Sequence, residues 1–245
     1  FCIIPSMRGK QRSRPIADIV QEVEALVAGG TKEINLVSQD TVSYGRDLRA
    51  LGHDDRNLAD LVRALGDIRD LKWMRLFYLY PEKLTEQVIE LLAQHPKVLP
   101  YVDMPLQHAS ERMLKIMRRG HGPDRQKKLV ERMRNEIPNL TFRTAFIVGH
   151  PGETQEDFDE LCSFVKWAEF DRVGVFKYSH EEGTRSGGME EVVAEKTIGA
   201  RHRKLMQLQR PISRKKMRRM VGQTIEVLVE GTSDESEFLL EGRHK

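Results

Sequence analysis

Cysteine is nearly missing from this chain: two among 245 residues, Cys2 and Cys162, 160 positions apart. That spacing and number exclude a disulfide framework, and a reducing, cytoplasmic compartment is expected. Long apolar runs are missing too. No stretch approaches the roughly 18 residues needed to cross a bilayer, and no secretory leader is visible, so no membrane partner is expected. No His-x-His pair or other closely spaced ligand set occurs, which leaves a dedicated metal centre diffuse at best. What is present suits a soluble globular protein: 39% hydrophobic and 31% charged residues, a balance that excludes disorder. The first residue is Phe1 and not Met, so an upstream continuation is expected. Cys2 then has two readings, a small buried hydrophobe or the last member of a motif cut through.

The net charge of +3 hides an asymmetry. Residues 201–220 hold nine Lys or Arg and no acid. Residues 221–245 carry a local net of −4, leaving +7 on residues 1–220. Such a junction marks a candidate domain boundary.

The body alternates helix and strand. Ile16, Ile19, Val20, Val23 and Val27 stand at helical spacing between Pro15 and the Gly29-Gly30 stop. Further helices are expected over residues 57–65, 84–94, 124–137, 154–168 and 194–217, the last kinked at Pro211. Thr154 with Asp157 three residues on has the capping-box spacing, and Cys162 falls on that helix's apolar stripe, hence in the core. Strands are expected over residues 33–37, 72–80, 98–105, 140–148 and 172–178. A sixth strand would end at Cys2. Alternation of this kind predicts a parallel α/β sheet with right-handed crossovers. Six units are too few for a closed eight-unit barrel, so an open, partial, TIM-like barrel is expected.

Parallel α/β folds carry their chemistry at the C-terminal ends of strands. Here those ends hold Cys2, Gln39-Asp40, Gln107-His108, His150 to Glu153, and His180 to Glu182. Each has a structural reading as a cap, a turn or a satisfied histidine. The recurrence of the whole set points to an active-site mouth. Two further classes stay open at this point: a metal-dependent hydrolase barrel using the histidines and carboxylates to activate water, and a non-catalytic binding module.

Several stretches, in order, resemble radical S-adenosylmethionine methylthiotransferases. They are Cys2-Ile3-Ile4-Pro5 with Arg8-Gly9 and Ser13-Arg14-Pro15; Leu36-Val37-Ser38-Gln39-Asp40-Thr41; Met104-Pro105-Leu106-Gln107-His108-Ala109-Ser110; Met117-Arg118-Arg119-Gly120; Phe146 through Thr154; Phe170-Asp171-Arg172; and Glu182-Gly183-Thr184. The resemblance covers nearly the whole chain. It implies a radical SAM core over residues 1–219, its first strand and part of the cluster loop missing. It also implies the start of a small all-β TRAM domain at 220–245, and a separate N-terminal methylthiotransferase domain that is absent. Cys2 becomes the third cysteine of a CxxxCxxC triad that holds a 4Fe-4S cluster with one iron open for S-adenosylmethionine. A second 4Fe-4S cluster belongs to the absent domain, and a fragment with one of three ligands is expected to be inactive alone.

The family divides by substrate. One branch adds a methylthio group to the β-carbon of an aspartate in small-subunit ribosomal protein number twelve; the other modifies a tRNA adenosine. The wording Leu106-Gln107-His108-Ala109-Ser110 and Arg143 within Phe142-Arg143-Thr144 resemble the ribosomal-protein branch. The acidic 221–245 segment fits a basic protein partner better than RNA phosphates. The basic 201–220 stretch is a solvated face or meets ribosomal or transfer RNA. By the resemblance, Gln39 and Asp40 contact the methionyl amino group, and Gln107 and Arg143 the carboxylate or ribose. Gly149 to Glu153 border the adenine with Val148 as packing, and His108 and His180 are substrate-side candidates. A flavodoxin or ferredoxin electron donor and a monomeric, cytoplasmic enzyme are also expected.

Overall fold

The computed structural model describes residues 4–52, 55–120 and 122–244. Five parallel strands form one sheet: β1 (Glu33–Leu36), β2 (Trp73–Leu76), β3 (Val98–Asp103), β4 (Thr141–Val148) and β5 (Arg172–Lys177). They lie side by side in chain order, each parallel to the next. A doubly wound sheet reverses direction at a switch point; this one never does. Every crossover therefore falls on the same side, and the sheet is the wall of an open barrel, as expected. The sixth strand, expected to end at Cys2, lies outside the described residues.

The helices are α1 (Ile4–Arg8), α2 (Ile16–Ala28), α3 (Arg46–Ala50), α4 (Leu58–Gly66), α5 (Glu86–Gln94), α6 (Glu111–Ile116), α7 (Pro123–Glu136), α8 (Gln155–Ala168) and α9 (Glu195–Arg218). Periodicity located the long ones. The start of α8 carries the full capping box, Thr154 and Asp157 each bonding the other's backbone N–H, and α4 has the same device in Asn57 and Asp60. The short polar helices α1, α3 and α6 lack an apolar stripe long enough to announce them. Helix α9 runs unbroken through Pro211.

Alternation on β4 sorts the two faces. Phe142, Thr144, Phe146 and Val148 are buried; Thr141, Arg143, Ala145 and Ile147 are half-buried. The buried set joins a core with Met74, Leu76, Val102 and the apolar stripes of the helices. Cys162 lies in that core, as expected. The opposite, concave face is polar and aromatic: Arg75 pairs with Glu33 at 3.0 Å and lies 4.4 Å from the Tyr101 ring centre, and Arg143 pairs with Asp103 at 2.8 Å.

An antiparallel hairpin follows α9: β6 (Val227–Ser233) and β7 (Ser236–His244). Leu228 packs against Trp73, Leu99 and Tyr101, and Arg243 reaches Glu33 at 3.6 Å. The outward face of the hairpin leaves Phe238 88% exposed and Leu240 71% exposed, so two strands alone do not bury a core of their own.

Candidate functional site

Backbone hydrogen bonds continue past the strands and stitch their C-terminal ends into one rim. Thr41 N–H donates to the Tyr78 carbonyl (3.3 Å), Leu79 N–H to Asp103 (2.9 Å), Gln107 N–H to Ala145 (2.9 Å) and Tyr178 N–H to Val148 (2.9 Å). The strand-end residues singled out in the sequence are thereby brought together, with the exception of Cys2, the expected cluster ligand, which lies outside the described residues. They do not all face the same way.

Gln39 is exposed and Gln107 half-exposed. Gln107 has a φ of 70°, a left-handed conformation uncommon outside glycine, of the kind that gathers at functional sites. Asp40 is held on one side only. Its Oδ2 accepts from Ser43 Oγ at 2.7 Å and from Lys83 Nζ at 2.5 Å, while the buried Oδ1 has no protein partner. A buried carboxylate oxygen left without a donor is costly, and a ligand ammonium would satisfy it. His180 follows β5 and is exposed.

Four of the expected site residues are engaged by other protein groups or packed in the core. His108 is fully buried. Its Nδ1 accepts from Ser110 N–H at 2.9 Å, which fixes the ring proton on Nε2, and that nitrogen contacts Glu153 Oε1 at 3.1 Å. Both ring nitrogens are thus engaged inside the protein. Glu153 is likewise engaged inside the protein. Its side chain is fully buried and engaged by His108, by Arg201 Nη1 (2.6 Å) and by Gly149 N–H (2.5 Å). Val148 faces the helix-side core, and its neighbour Ile147 takes the concave face opposite Phe176. Arg143 sits at the third position of β4, five residues and about 16 Å along the strand from Val148. Its guanidinium is engaged by Asp103 at 2.8 Å within the barrel and stays partly exposed.

The turn itself is built by glycine. Gly149 has a φ of 80°, and a Cβ there would come within 2.4 Å of the Ile198 side chain. Only glycine brings the turn this close to α9. Arg201 then reaches 48 residues back to Glu153, so α9 locks the β3 and β4 rim loops in one network.

A second buried network lies beside it. Asp157 accepts from Ser110 Oγ (2.5 Å), Thr154 N–H (2.9 Å) and Arg112. Burial pushes its carboxyl up, but hydrogen bonds from Arg112, Ser110 and Thr154 outweigh that and hold it well below the usual carboxylate range. A depressed carboxyl contributes stability that is present above the unfolded value of about 3.9 and is lost as pH falls through the folded one. Asp157→Asn is therefore expected to destabilise the protein at pH 7, with the gap to the parent narrowing below about pH 4. Urea midpoints measured from pH 7 down to pH 3 test this; a gap independent of pH refutes it.

Sequence reasoning missed Asp103, Lys83, Tyr78 and Phe176. Asp103 is buried on the concave face with Oδ2 unpartnered, and burial, opposed by Arg143, raises its carboxyl. An acid inside an apolar strand run was the available signal. Tyr78 takes a φ of 54° at the end of β2, and Phe176 is 57% exposed on β5; nothing in their local pattern set them apart. Among the described residues, no three His, Cys, Asp or Glu side chains converge to hold a metal, so the histidine–carboxylate centre of the hydrolase reading is not assembled from them.

The rim can thus seat a polar, partly cationic ligand between free amides, one orphaned carboxylate oxygen and an apolar strip of Ile147 and Phe176. Comparison with known proteins bears on which ligand. The family model for the radical SAM superfamily matches residues 1–165. A protein of Sorangium cellulosum named ribosomal protein uS12 methylthiotransferase RimO is 59% identical over all of this chain and 50% of its own length. One of the same name from Geobacter sulfurreducens is 46% identical over 99% of this chain and 54% of its own. The chain spans about half the length of these relatives. Among solved structures, SuiB of Streptococcus suis bound to S-adenosylmethionine superposes with a TM-score of 0.51, at 16% identity, covering 86% of this chain and 41% of that one. HemN of Escherichia coli, a coproporphyrinogen III oxidase, gives 0.50 at 15% identity, covering 86% and 45%. At such identities the likeness is one of fold.

Proposed function

This chain belongs to the radical SAM superfamily, and from that premise we propose that it is the catalytic barrel of a ribosomal protein uS12 methylthiotransferase. The observation that carries the reading is identity of 46–59% over essentially the whole chain to relatives of that name. The ordered rim supports it.

Asp40 Oδ1 and the Gln39 amide suit the amino group of S-adenosylmethionine, Gln107 its carboxylate or ribose, and Ile147 with Phe176 its apolar parts. Cys2 is the assigned thiolate for the 4Fe-4S cluster. When bound, cluster and cofactor together supply a one-electron route to hydrogen abstraction from an unactivated carbon. The chain's own contribution is placement. Lys83 and Ser43 hold Asp40 with one oxygen free. Glu153 and Arg201 hold the Gly149 turn, so the rim does not relax when a ligand enters. Asp40→Asn removes the charge facing the ligand ammonium. It is expected to raise the dissociation constant for S-adenosylmethionine about tenfold or more, the loss of one charge-assisted hydrogen bond. Titration calorimetry on the full-length protein checks it; unchanged affinity refutes the assignment.

In this reading, residues 1–219 form the radical SAM core and 220–245 begin a TRAM domain, whose acidic surface receives the basic ribosomal protein. A second cluster, in an N-terminal domain of the whole protein, supplies sulfur. The enzyme works as a cytoplasmic monomer beside the ribosome and takes electrons from a flavodoxin or ferredoxin. Among the described residues no helix is long and apolar enough to cross a membrane. The test is anaerobic reaction of the full-length enzyme with ribosomal protein uS12 and with tRNA separately, read by mass spectrometry. A methylthio gain on the ribosomal protein is expected; a gain only on tRNA overturns the proposal.

A further inference from the structure

Helix α9 divides its cations between two faces. At about 100° per residue, Arg201, Leu205 and Gln209 point inward and are buried. Most cations flanking that inward face are paired with acids: Arg201 with Glu153, Lys204 with Asp159 (3.3 Å), Lys215 with Glu169 (2.9 Å) and Lys216 with Asp171 (2.9 Å). Arg203, Arg210, Arg214 and Arg218 are different. They recur at intervals of seven, four and four, which sets them in one stripe of about 80° on the opposite face, over about 22 Å of helix. All four are exposed. Among the described residues none of the four has a carboxylate within ion-pair distance, and the one acid on α9 is Glu195 in its first turn.

A merely solvated helix face usually interleaves charges of both signs, since pairs four apart support the helix. This stripe repels itself and keeps no counter-charge of its own. The residue type is informative too. Three of the four paired cations are lysines, whereas the stripe is all arginine, the side chain whose planar fork suits phosphate. A nucleic-acid duplex presents on the order of a dozen phosphates over such a length. The neighbouring segment, residues 221–245, has the opposite charge, −4. A basic stripe beside an acidic hairpin complements a substrate that is itself a basic protein set among phosphates.

We infer that the outer face of α9 binds an RNA backbone, and that the substrate form recognised is a ribonucleoprotein rather than the free ribosomal protein. The second half of this inference rests on the function proposed above; the first does not. The test uses the full-length holoenzyme and a fluorescein-labelled RNA hairpin, with anisotropy followed across potassium chloride concentrations. In R203Q/R210Q/R214Q/R218Q the slope of log affinity against log salt is expected to fall by about 3, with affinity at 100 mM salt reduced more than tenfold. The thermal midpoint should hold, because all four side chains are exposed. The companion variant K204Q/K215Q/K216Q, which removes cations already neutralised by acids, should change the slope by less than about 1. Unchanged slope and affinity in the quadruple variant overturn the inference, and so does equally tight binding to phosphatidylglycerol vesicles. Methylthiolation then separates the two readings. The quadruple variant should modify isolated uS12 at the parent rate and intact small subunits at least tenfold more slowly. Equal rates on both substrates refute ribonucleoprotein recognition. A parent enzyme that binds RNA but modifies neither substrate refutes the proposed function and leaves the RNA-binding face standing.

Discussion

Glu153→Ala is expected to lower the thermal midpoint by about 10 °C, the largest stability loss of any single rim substitution. The Glu153 carboxylate is fully buried and is the only acid paired with Arg201 among the described residues. Truncation leaves a buried guanidinium whose Nε already lacks a partner, faced by the neutral backbone carbonyl of residue 153 at 3.1 Å and the Phe158 ring 5.5 Å away, with no carboxylate. Breaking a buried pair by removing one member costs about 3–5 kcal/mol, and a chain of this size loses roughly 2–4 °C per kcal/mol. The damage spreads, because His108 Nε2 loses its acceptor and Gly149 N–H loses its cap. Glu153→Gln keeps an acceptor without the charge and should fall between parent and alanine. Differential scanning calorimetry of the three proteins decides the matter; an alanine variant within 2 °C of the parent would falsify the account of a locked rim.

Cys2→Ala is expected to reduce methylthio transfer to background and to remove one cluster's worth of iron from the full-length protein. Three thiolates leave the fourth iron open, so losing one ligand disables both cluster retention and cofactor attachment. The reaction has no fallback, since no neutral side chain supplies a one-electron route to hydrogen abstraction. Iron analysis and the cluster absorption band read the first effect, and anaerobic turnover reads the second. Full iron content with lost activity would place Cys2 outside the cluster and remove the chemical basis of the proposed function.

The two substitutions probe different kinds of knowledge. Cys2 stands out from the order of motifs alone. So do the alternation of five strands and six long helices, the Thr154–Asp157 cap and the gathering of polar residues at one end of the sheet. Period 2 and period 3.6 are local properties of a chain, and a parallel sheet forces all strand C-termini to the same end. What lay beyond local reading was the direction each rim side chain takes. His108, Glu153 and Gln107 occupy equivalent places in the sequence pattern. Glu153 turns inward to Arg201 and His108 to Glu153, while Gln107, in a left-handed conformation, leaves its amide half-exposed. Loops have no period to reveal a face, and the partner that decides the matter comes from 48 residues away. The same holds for α9: composition announced its charge, but only packing against α8 and the rim separated neutralised cations from the free arginine stripe. Sequence determined the family, the barrel wall and the end of the sheet at which the polar residues gather. Tertiary structure decided which polar groups brace the mouth and which are left to meet a ligand, because burial and pairing are relations between distant segments.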